Sequence, residues 1–224
     1  IFIRRKAMFN IDLSKYRIVD LSYEVVPPGS EDRPFVIERG FLADMAYKYD
    51  VTKTHSHVGT HVETPAHFFD GGKDVVDLPL TTFFGRGILL DIDYVGENPA
   101  ITAEIAEKAI GDIIKDGDIV IPRNSDQDSL KGKKAKPYLT PESAKWLKDH
   151  NIKMLGIDNN VGLSKDTPTG RELHAILMGA GIPIIEWLDN LDQLKKREFF
   201  VMALPFKVRT MDSSWARVIA IEDI

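Results

Sequence analysis

Hydrophobic positions in the first quarter of the chain follow patterns typical of β-strands. Residues 17–26 are rich in β-branched side chains and end at a Pro-Pro-Gly sequence, which indicates a strand followed by a turn. Similar patterns at residues 35–41 and 50–57 predict two further strands. We expect the second of these to carry His57 into the loop that follows it.

Strand and helix patterns alternate along the remainder of the chain. Helices are predicted over 103–110, 141–150 and 171–180, the first two begun by the capping residues Thr102 and Thr140. The strands predicted in this part are 87–93, 119–121, 153–157, 182–187, 199–204 and 215–222. The run at 87–93 is almost entirely apolar, as expected for a strand buried on both faces.

This order of elements predicts an α/β fold. We expect one domain over 17–224, with a mixed sheet and flanking helices, after an N-terminal extension at 1–16. With 224 residues and 43% hydrophobic residues, the chain is long enough to form a substantial core. No apolar run approaches the roughly 20 residues of a membrane-spanning helix.

Charge and cysteine content narrow the range of partners and cofactors. The net charge of −5 provides no overall field towards nucleic acid or an anionic membrane, so we expect neither as a partner. A short basic run inside the polar stretch 122–137 is interpreted as a solvated loop. The absence of cysteine excludes disulfides and thiolate ligands, and it agrees with a cytoplasmic location.

Four of the six histidines lie within residues 55–67, together with a carboxylate. Imidazole and carboxylate groups are ligands for Zn, Mn and Fe. His61 and Glu63 are two residues apart and would project from the same face of a strand. Gly59 allows a backbone bend that would bring His57 to them. The segment therefore predicts a metal site.

For the remaining histidines, pattern alone does not predict metal binding. His55 alternates with His57 on the predicted strand and is interpreted as a structural or supporting residue. His150 ends a lysine-rich helix, where a histidine interacts favourably with the helix dipole. His174 lies in a mostly apolar helix after a polar loop, and its pattern fits a buried structural histidine as well as a ligand.

The histidine segment resembles the signature His-x-Gly-Thr-His-x-acid-x-Pro-x-His of the metal-dependent cyclase-like hydrolases. That family includes bacterial kynurenine formamidases and isatin hydrolases. The signature is present here as His57, Gly59, Thr60, His61, Glu63, Pro65 and His67. Residues 20–22, 139–147 and 155–158 are also similar to segments of the family, so the resemblance covers nearly all of 17–222.

The resemblance implies a swivelling β/β/α fold and a site for one or two divalent metals, Zn or Mn. The implied ligands are His57, His61 and Glu63 for one metal, and His174 and Glu186 for a second, with Glu63 as the bridge. His67 matches the family's catalytic histidine. Bound metals would polarise a carbonyl group and lower the pKa of water. A homo-oligomer is expected because members are usually dimers or tetramers.

One signature position departs from the family pattern. Glu63 stands where most members carry Asp, and the extra methylene moves the carboxylate by ~1.5 Å. This difference leaves the number of bound metals, one or two, open.

The resulting hypothesis is metal-dependent hydrolysis of an amide C–N bond in a small molecule, of the kynurenine formamidase type. His67 would carry a proton from the attacking water to the leaving nitrogen. The aromatic residues that would line a pocket for an aryl substrate are Phe68, Phe69, Tyr23 and Phe35. A cyclic amide, as in isatin hydrolases, is the alternative substrate.

Residue chemistry leaves two other functional classes of protein open. His61, Glu63 and a distant histidine are similar to the facial triad of non-haem Fe(II) oxygenases, although the predicted helices argue against the all-β fold usual for those enzymes. The second class is a non-catalytic metal-binding protein. Structural metal sites are usually closed by four protein ligands, often cysteines, and this chain has none.

Overall fold

The structure, a computed structural model, describes residues 12–43, 45–93 and 98–224. Most of the N-terminal extension expected at 1–16 therefore lies outside the described residues. The first strand begins at Tyr16, one residue before the predicted start of the domain.

The described residues form twelve strands and four α-helices. The strands are β1 (Tyr16–Asp20), β2 (Val36–Leu42), β3 (Ala46–Lys53), β4 (His61–Glu63), β5 (Phe84–Ile92), β6 (Ala100–Ile101), β7 (Ile119–Asn124), β8 (Tyr138–Leu139), β9 (Met154–Asp158), β10 (Ile184–Leu188), β11 (Glu198–Pro205) and β12 (Ser213–Asp223). The helices are α1 (Ala103–Ile110), α2 (Gln127–Leu130), α3 (Pro141–Asp149) and α4 (Thr167–Gly179). Within these residues, no helix is long and apolar enough to cross a membrane.

Eight strands form one mixed sheet that closes on itself. Their order is β1-β12-β11-β5-β7-β9-β10-β4, and β12 also pairs with β4. Strands β5, β7, β9 and β10 are parallel neighbours, and helices lie in the connections between them, as parallel pairing requires. The predicted mixed sheet with flanking helices is confirmed, in a barrel-like arrangement.

The core has two parts because the central strands are buried on both faces. On β5, Ile88 and Leu90 pack towards the helices, whereas Leu89 points into the barrel interior. Successive side chains of a strand point to opposite faces, so both sides must be covered by apolar residues. This arrangement explains the continuous apolar run predicted as a buried strand.

The helix starts follow the capping residues of the sequence. The Thr102 side chain accepts a hydrogen bond from Ile105 N (3.3 Å), and α1 has the predicted bounds. His150 ends α3, and its ring nitrogen Nδ1 bonds Trp146 O (2.8 Å), in agreement with the capping role. The predicted start of α4 at 171 was wrong, because Asp166 caps the helix earlier by accepting from Thr169 N (2.9 Å).

Two predicted strands were too long. The strand predicted over 17–26 ends at Asp20. The strand predicted over 50–57 ends at Lys53, because β3 pairs only with β2 in an exposed hairpin. His57 therefore lies in a turn before β4 and is not carried by a strand. The polar stretch 122–137 contains the end of β7 and the short helix α2.

Truncation of Leu177 should destabilise the domain. Its side chain is fully buried on α4, and Leu177→Ala should lower the free energy of unfolding by about 2–5 kcal/mol. Ile105→Ala on α1 is the control, since Ile105 is 40% exposed and should cost about 1 kcal/mol or less. Chemical denaturation of both variants measures the difference. Equal losses would show that α4 is not packed as described.

Candidate metal centre

The short strand β4 holds the centre of the site. It lies between β10 and β12, and His61 stands opposite Glu186 on one side and Trp215 on the other. Val62 points into the barrel interior, so His61 and Glu63 occupy the opposite face. His174 of helix α4 reaches that face, with its Nε2 3.4 Å from Glu63 Oε2.

A glycine turn brings His57 back onto β4. Gly59 has a φ of +67°, in the left-handed region that favours glycine, and a Cβ there would lie 2.3 Å from Val25 Cγ2. As a result, His57 Nδ1 lies 2.8 Å from Glu63 Oε1 and 3.2 Å from His61 Nε2. This geometry agrees with the backbone bend predicted at Gly59.

The hydrogen bonds of the two histidines direct their lone pairs towards each other. His61 Nδ1 donates to Gly59 O (2.7 Å), and His57 Nε2 donates to Asp212 Oδ2 (2.9 Å). In a neutral histidine the second ring nitrogen is then an acceptor. Two nitrogen lone pairs and a Glu63 oxygen therefore converge on one point, where a cation would relieve their repulsion. Such outer hydrogen bonds are typical of metal-ligating histidines.

Glu63 has an oxygen without a hydrogen-bond partner. Its side chain is 4% exposed, and Oε2 is buried with no such partner among the described residues. His174 Nε2 lies 3.4 Å from this oxygen, outside hydrogen-bonding geometry, and His174 Nδ1 is committed to Gly170 O (2.7 Å). An unpartnered buried carboxylate oxygen costs free energy unless a cation compensates it. The residues present therefore fit a divalent metal.

Two groups of three side chains share Glu63 and offer ligand atoms within 4.8 Å of one another. They are His57-His61-Glu63 and Glu63-His67-His174. The first is the ligand set that the resemblance implied. In the second, His67 stands where Glu186 was expected. Glu186 lies beside the centre, with Oε2 at 3.9 Å from His61 Nε2, but it joins neither group.

Opposite charges shift the pKa values within this cluster. Burial disfavours the charged forms of His57 and His174, but contacts with Glu63, together with Asp212 at His57, outweigh it and raise the pKa of both rings above the ordinary value. Burial would also raise the pKa of Glu63, but contacts with His174, His57 and His61 lower it well below its ordinary range. Burial and the Glu63 charge raise the pKa of Glu186.

Asp212 is a member of the cluster that sequence reasoning missed. Its Oδ2 accepts from His67 Nδ1 (2.7 Å) as well as from His57 Nε2. These hydrogen bonds outweigh desolvation and lower the pKa of Asp212 to about 2. Asp212 is one of 34 acidic residues and lies 145 positions from His67, so no spacing could have indicated it. Only the pairing of β12 with β4 brings it to the site.

The four aromatic residues predicted to line a pocket occupy different places. Phe68 stacks on the His174 ring, with centroids 5.8 Å apart, and Phe69 packs edge-on against Phe68. Tyr23 and Phe35 line a cavity of about 790 Å³, whose lining includes no histidine of the cluster. Among the ring contacts of these four residues, that of Phe68 with His174 involves a candidate metal ligand.

A family model for the putative cyclases matches residues 19–161, more than half of the chain. The chain belongs to the cyclase family. The resemblance seen in the sequence is confirmed by this match.

Curated relatives agree with the family assignment. A kynurenine formamidase from Geobacillus thermodenitrificans is 29% identical over 165 residues, which cover 72% of this chain and 74% of the relative. A kynurenine formamidase from Bacillus cytotoxicus is 26% identical over 197 residues, covering 84% and 88%. The predicted enzyme class, a hydrolase, is confirmed by these relatives.

Solved structures share the fold over almost the whole chain. Isatin hydrolase A from Ralstonia solanacearum matches with a TM-score of 0.74 and 25% identity, covering 94% of this chain and 93% of that one. Isatin hydrolase A from Labrenzia aggregata, bound to benzyl benzoate, has a TM-score of 0.75 and 24% identity, covering 94% and 95%. The predicted fold class is confirmed.

A side chain at Gly59 should disrupt the centre. Gly59→Ala adds a methyl group that collides with Val25 and strains a residue with positive φ, so both stability and metal affinity should fall. Gly71→Ala is the matched control, because Gly71 has a φ of +70° with nothing within 4 Å of the added Cβ. Strain alone is expected to cost about 1–2 kcal/mol in each. Thermal unfolding and metal titration compare the two, and equal metal affinities would contradict the role of the Gly59 turn.

Metal binding should release protons and strengthen as pH rises. His57, His174 and Glu186 have raised pKa values, so each holds its proton to higher pH in the metal-free chain and must lose it to act as a ligand. Affinity should therefore increase from pH 6 to pH 8. Calorimetric titration in buffers with different ionisation enthalpies counts the released protons. Binding that is independent of pH and buffer would refute this expectation.

Proposed function

We propose that this protein is a metal-dependent hydrolase that cleaves an amide C–N bond in a small molecule, of the kynurenine formamidase type. Two observations carry the proposal: the His57 and His61 lone pairs converge beside Glu63 Oε1, and the second oxygen of the same carboxylate, Oε2, is buried without a hydrogen-bond partner among the described residues. The curated kynurenine formamidases support the choice of an aryl formamide as substrate.

The ligand sets are proposed from the geometry together with the family resemblance. His57, His61 and Glu63 would hold one Zn or Mn ion, and His174 with Glu63 would contribute to a second position. A bound divalent metal supplies Lewis-acid polarisation of the substrate carbonyl and lowers the pKa of water. Glu186, whose Oε2 lies 3.9 Å from His61 Nε2, is proposed as a further ligand of the second position.

His67 is proposed as the proton-transfer residue. Its Nδ1 is committed to Asp212, so its Nε2, 3.7 Å from Glu63 Oε1, is the nitrogen that faces the centre. Water adds to the carbonyl carbon and gives a proton to this nitrogen. His67 then passes the proton to the leaving nitrogen as the C–N bond breaks, which yields an amine and a carboxylic acid that loses its remaining proton to solvent to become the carboxylate.

Aromatic contacts support an aryl substrate. Phe68 lies parallel to the His174 ring, with an interplanar angle of 15°. An aromatic ring of the substrate would find an apolar surface there beside the ligands. Phe69, Tyr23 and Phe35 are proposed as outer walls of the substrate pocket.

A cyclic amide is the second candidate substrate. The isatin hydrolase A of Ralstonia solanacearum matches this chain over 94% of its length, which supports a ring-opening hydrolysis of the same bond type. The chemistry assigned to His67 is unchanged, except that the amine and carboxylate remain in one product molecule. A homo-oligomer is also proposed, from the family resemblance.

The decisive experiment is an assay of the purified, metal-loaded protein on N-formylkynurenine and on isatin. We expect hydrolysis that a chelator abolishes and that Zn or Mn restores. His61→Asn should lower turnover by at least about 10²-fold, since loss of even an outer contact to a metal site costs 10–100-fold. His150→Asn, the same change outside the cluster, should retain activity. Turnover that survives complete metal removal, or no turnover of either substrate, would refute the proposal.

A further inference from the structure

Asp212 connects two histidines through one oxygen atom. Its Oδ2 accepts from His67 Nδ1 at 2.7 Å and from His57 Nε2 at 2.9 Å. Its other oxygen, Oδ1, accepts from Ser56 Oγ at 3.1 Å. The carboxylate is therefore held in one orientation by three side-chain donors from the segment that contains the metal centre.

The backbone of Asp212 is fixed to the same segment. Its carbonyl oxygen accepts from both Thr64 N (3.0 Å) and Thr64 Oγ1 (2.9 Å). The next residue, Ser213, is paired with Glu63 across the β12–β4 ladder. The position of the carboxylate relative to Glu63 is thus set by main-chain hydrogen bonds as well as by the side-chain contacts.

These contacts determine which nitrogen of each ring carries the proton. A carboxylate is only an acceptor, so a neutral His67 bonded to it carries hydrogen on Nδ1 and a lone pair on Nε2. That lone pair lies on the side of Glu63, 3.7 Å from Oε1. By the same argument, a neutral His57 has its lone pair on Nδ1, which is 2.8 Å from Glu63 Oε1.

We propose that Asp212 is a positioning residue that holds His67 in the Nδ1–H tautomer with Nε2 directed at the reacting groups, and that the same oxygen orients His57 as a metal ligand. Of this proposal, only the expected effect on kcat rests on the proposed function. The orientation of the rings is a property of the metal-free chain and can be measured without turnover.

The kinetic test is the isosteric variant Asp212→Asn. The amide can offer NH₂ where the carboxylate accepted, which favours the other tautomer of His67 and removes its base nitrogen from the centre. We expect kcat to fall by about 10²–10⁴-fold, the range of general acid–base catalysis, with KM changed by no more than about threefold. Across pH 5–9, the limb of the kcat profile that reports His67 should be displaced or lost.

Asp91→Asn is the matched control. Asp91 is also a partly exposed carboxylate, at 31% against 39% for Asp212, and it accepts from Arg123 and Ser125. It lies at the end of β5, outside the histidine cluster. Its variant loses a comparable set of hydrogen bonds, so it reports the effect of lost stability alone, and its kcat should stay within about twofold of the wild type.

The structural test is long-range ¹H–¹⁵N NMR of the metal-free protein with labelled histidines. At a pH where the rings are neutral, the wild type should show His67 with hydrogen on Nδ1 and His57 with hydrogen on Nε2. Asp212→Asn should change the signals of these two rings and leave His150 unchanged. Single histidine variants assign the signals.

The outcomes separate the possible roles. Wild-type tautomers retained in Asp212→Asn, or a kcat equal to that of Asp91→Asn, would overturn the positioning role. Because His57, His67 and Asp212 could together hold an ion, metal content is measured as well. Activity restored to the wild-type level by excess metal would assign Asp212 to metal binding and would also overturn the proposal. A wild type without hydrolase activity would refute the proposed function, while the NMR result would still decide the role of Asp212.

Discussion

The buried carboxylate of Glu63 is the constraint around which the site is built. Four histidines surround it, and each has its outer ring nitrogen committed to an oxygen acceptor: His57 and His67 to Asp212, His61 to Gly59 and His174 to Gly170. Without these outer bonds the rings could rotate and satisfy Glu63 by ordinary hydrogen bonding. With them, lone pairs accumulate at one place, and the free energy of the arrangement favours a bound cation.

The barrel supplies the rigidity that such a convergence needs. Strand β4 has only three residues and would not be stable alone, but it is hydrogen-bonded on both sides, to β10 and to β12. Val62 anchors it in the barrel interior, so the residues before and after lie on the opposite face, where His174 approaches Glu63. Sites on strands are held more accurately than sites on loops. His57 and His67, which lie in turns, depend on Gly59 and Asp212 for the same accuracy.

Local chemistry made the helix starts and the first ligand group predictable from sequence. Thr102 and Thr140 begin helices because their side chains satisfy backbone N–H groups, and the histidine spacing around Gly59 indicated the first ligand group. Asp212 was missed because its proximity depends on the pairing of strands distant in sequence. The pairing of β2 with β3 in an exposed hairpin was not predicted either, since strand patterns do not show which strands pair. Likewise, the sequence placed Glu186 near the centre but could not show that it contacts His61 rather than His174.

Strand β12 pairs with three other strands, so the hydrogen exchange of their backbone amides depends on it. Its first residues pair with β4, its last with β1, and β11 runs along its other edge. Fraying of this strand would therefore uncouple Asp212, open the barrel and release the N-terminal strand in one event. Sub-global openings follow such cooperative units. The amide protons that β4 and β12 protect by pairing with each other therefore share one opening free energy for hydrogen exchange, although the two segments are far apart in sequence.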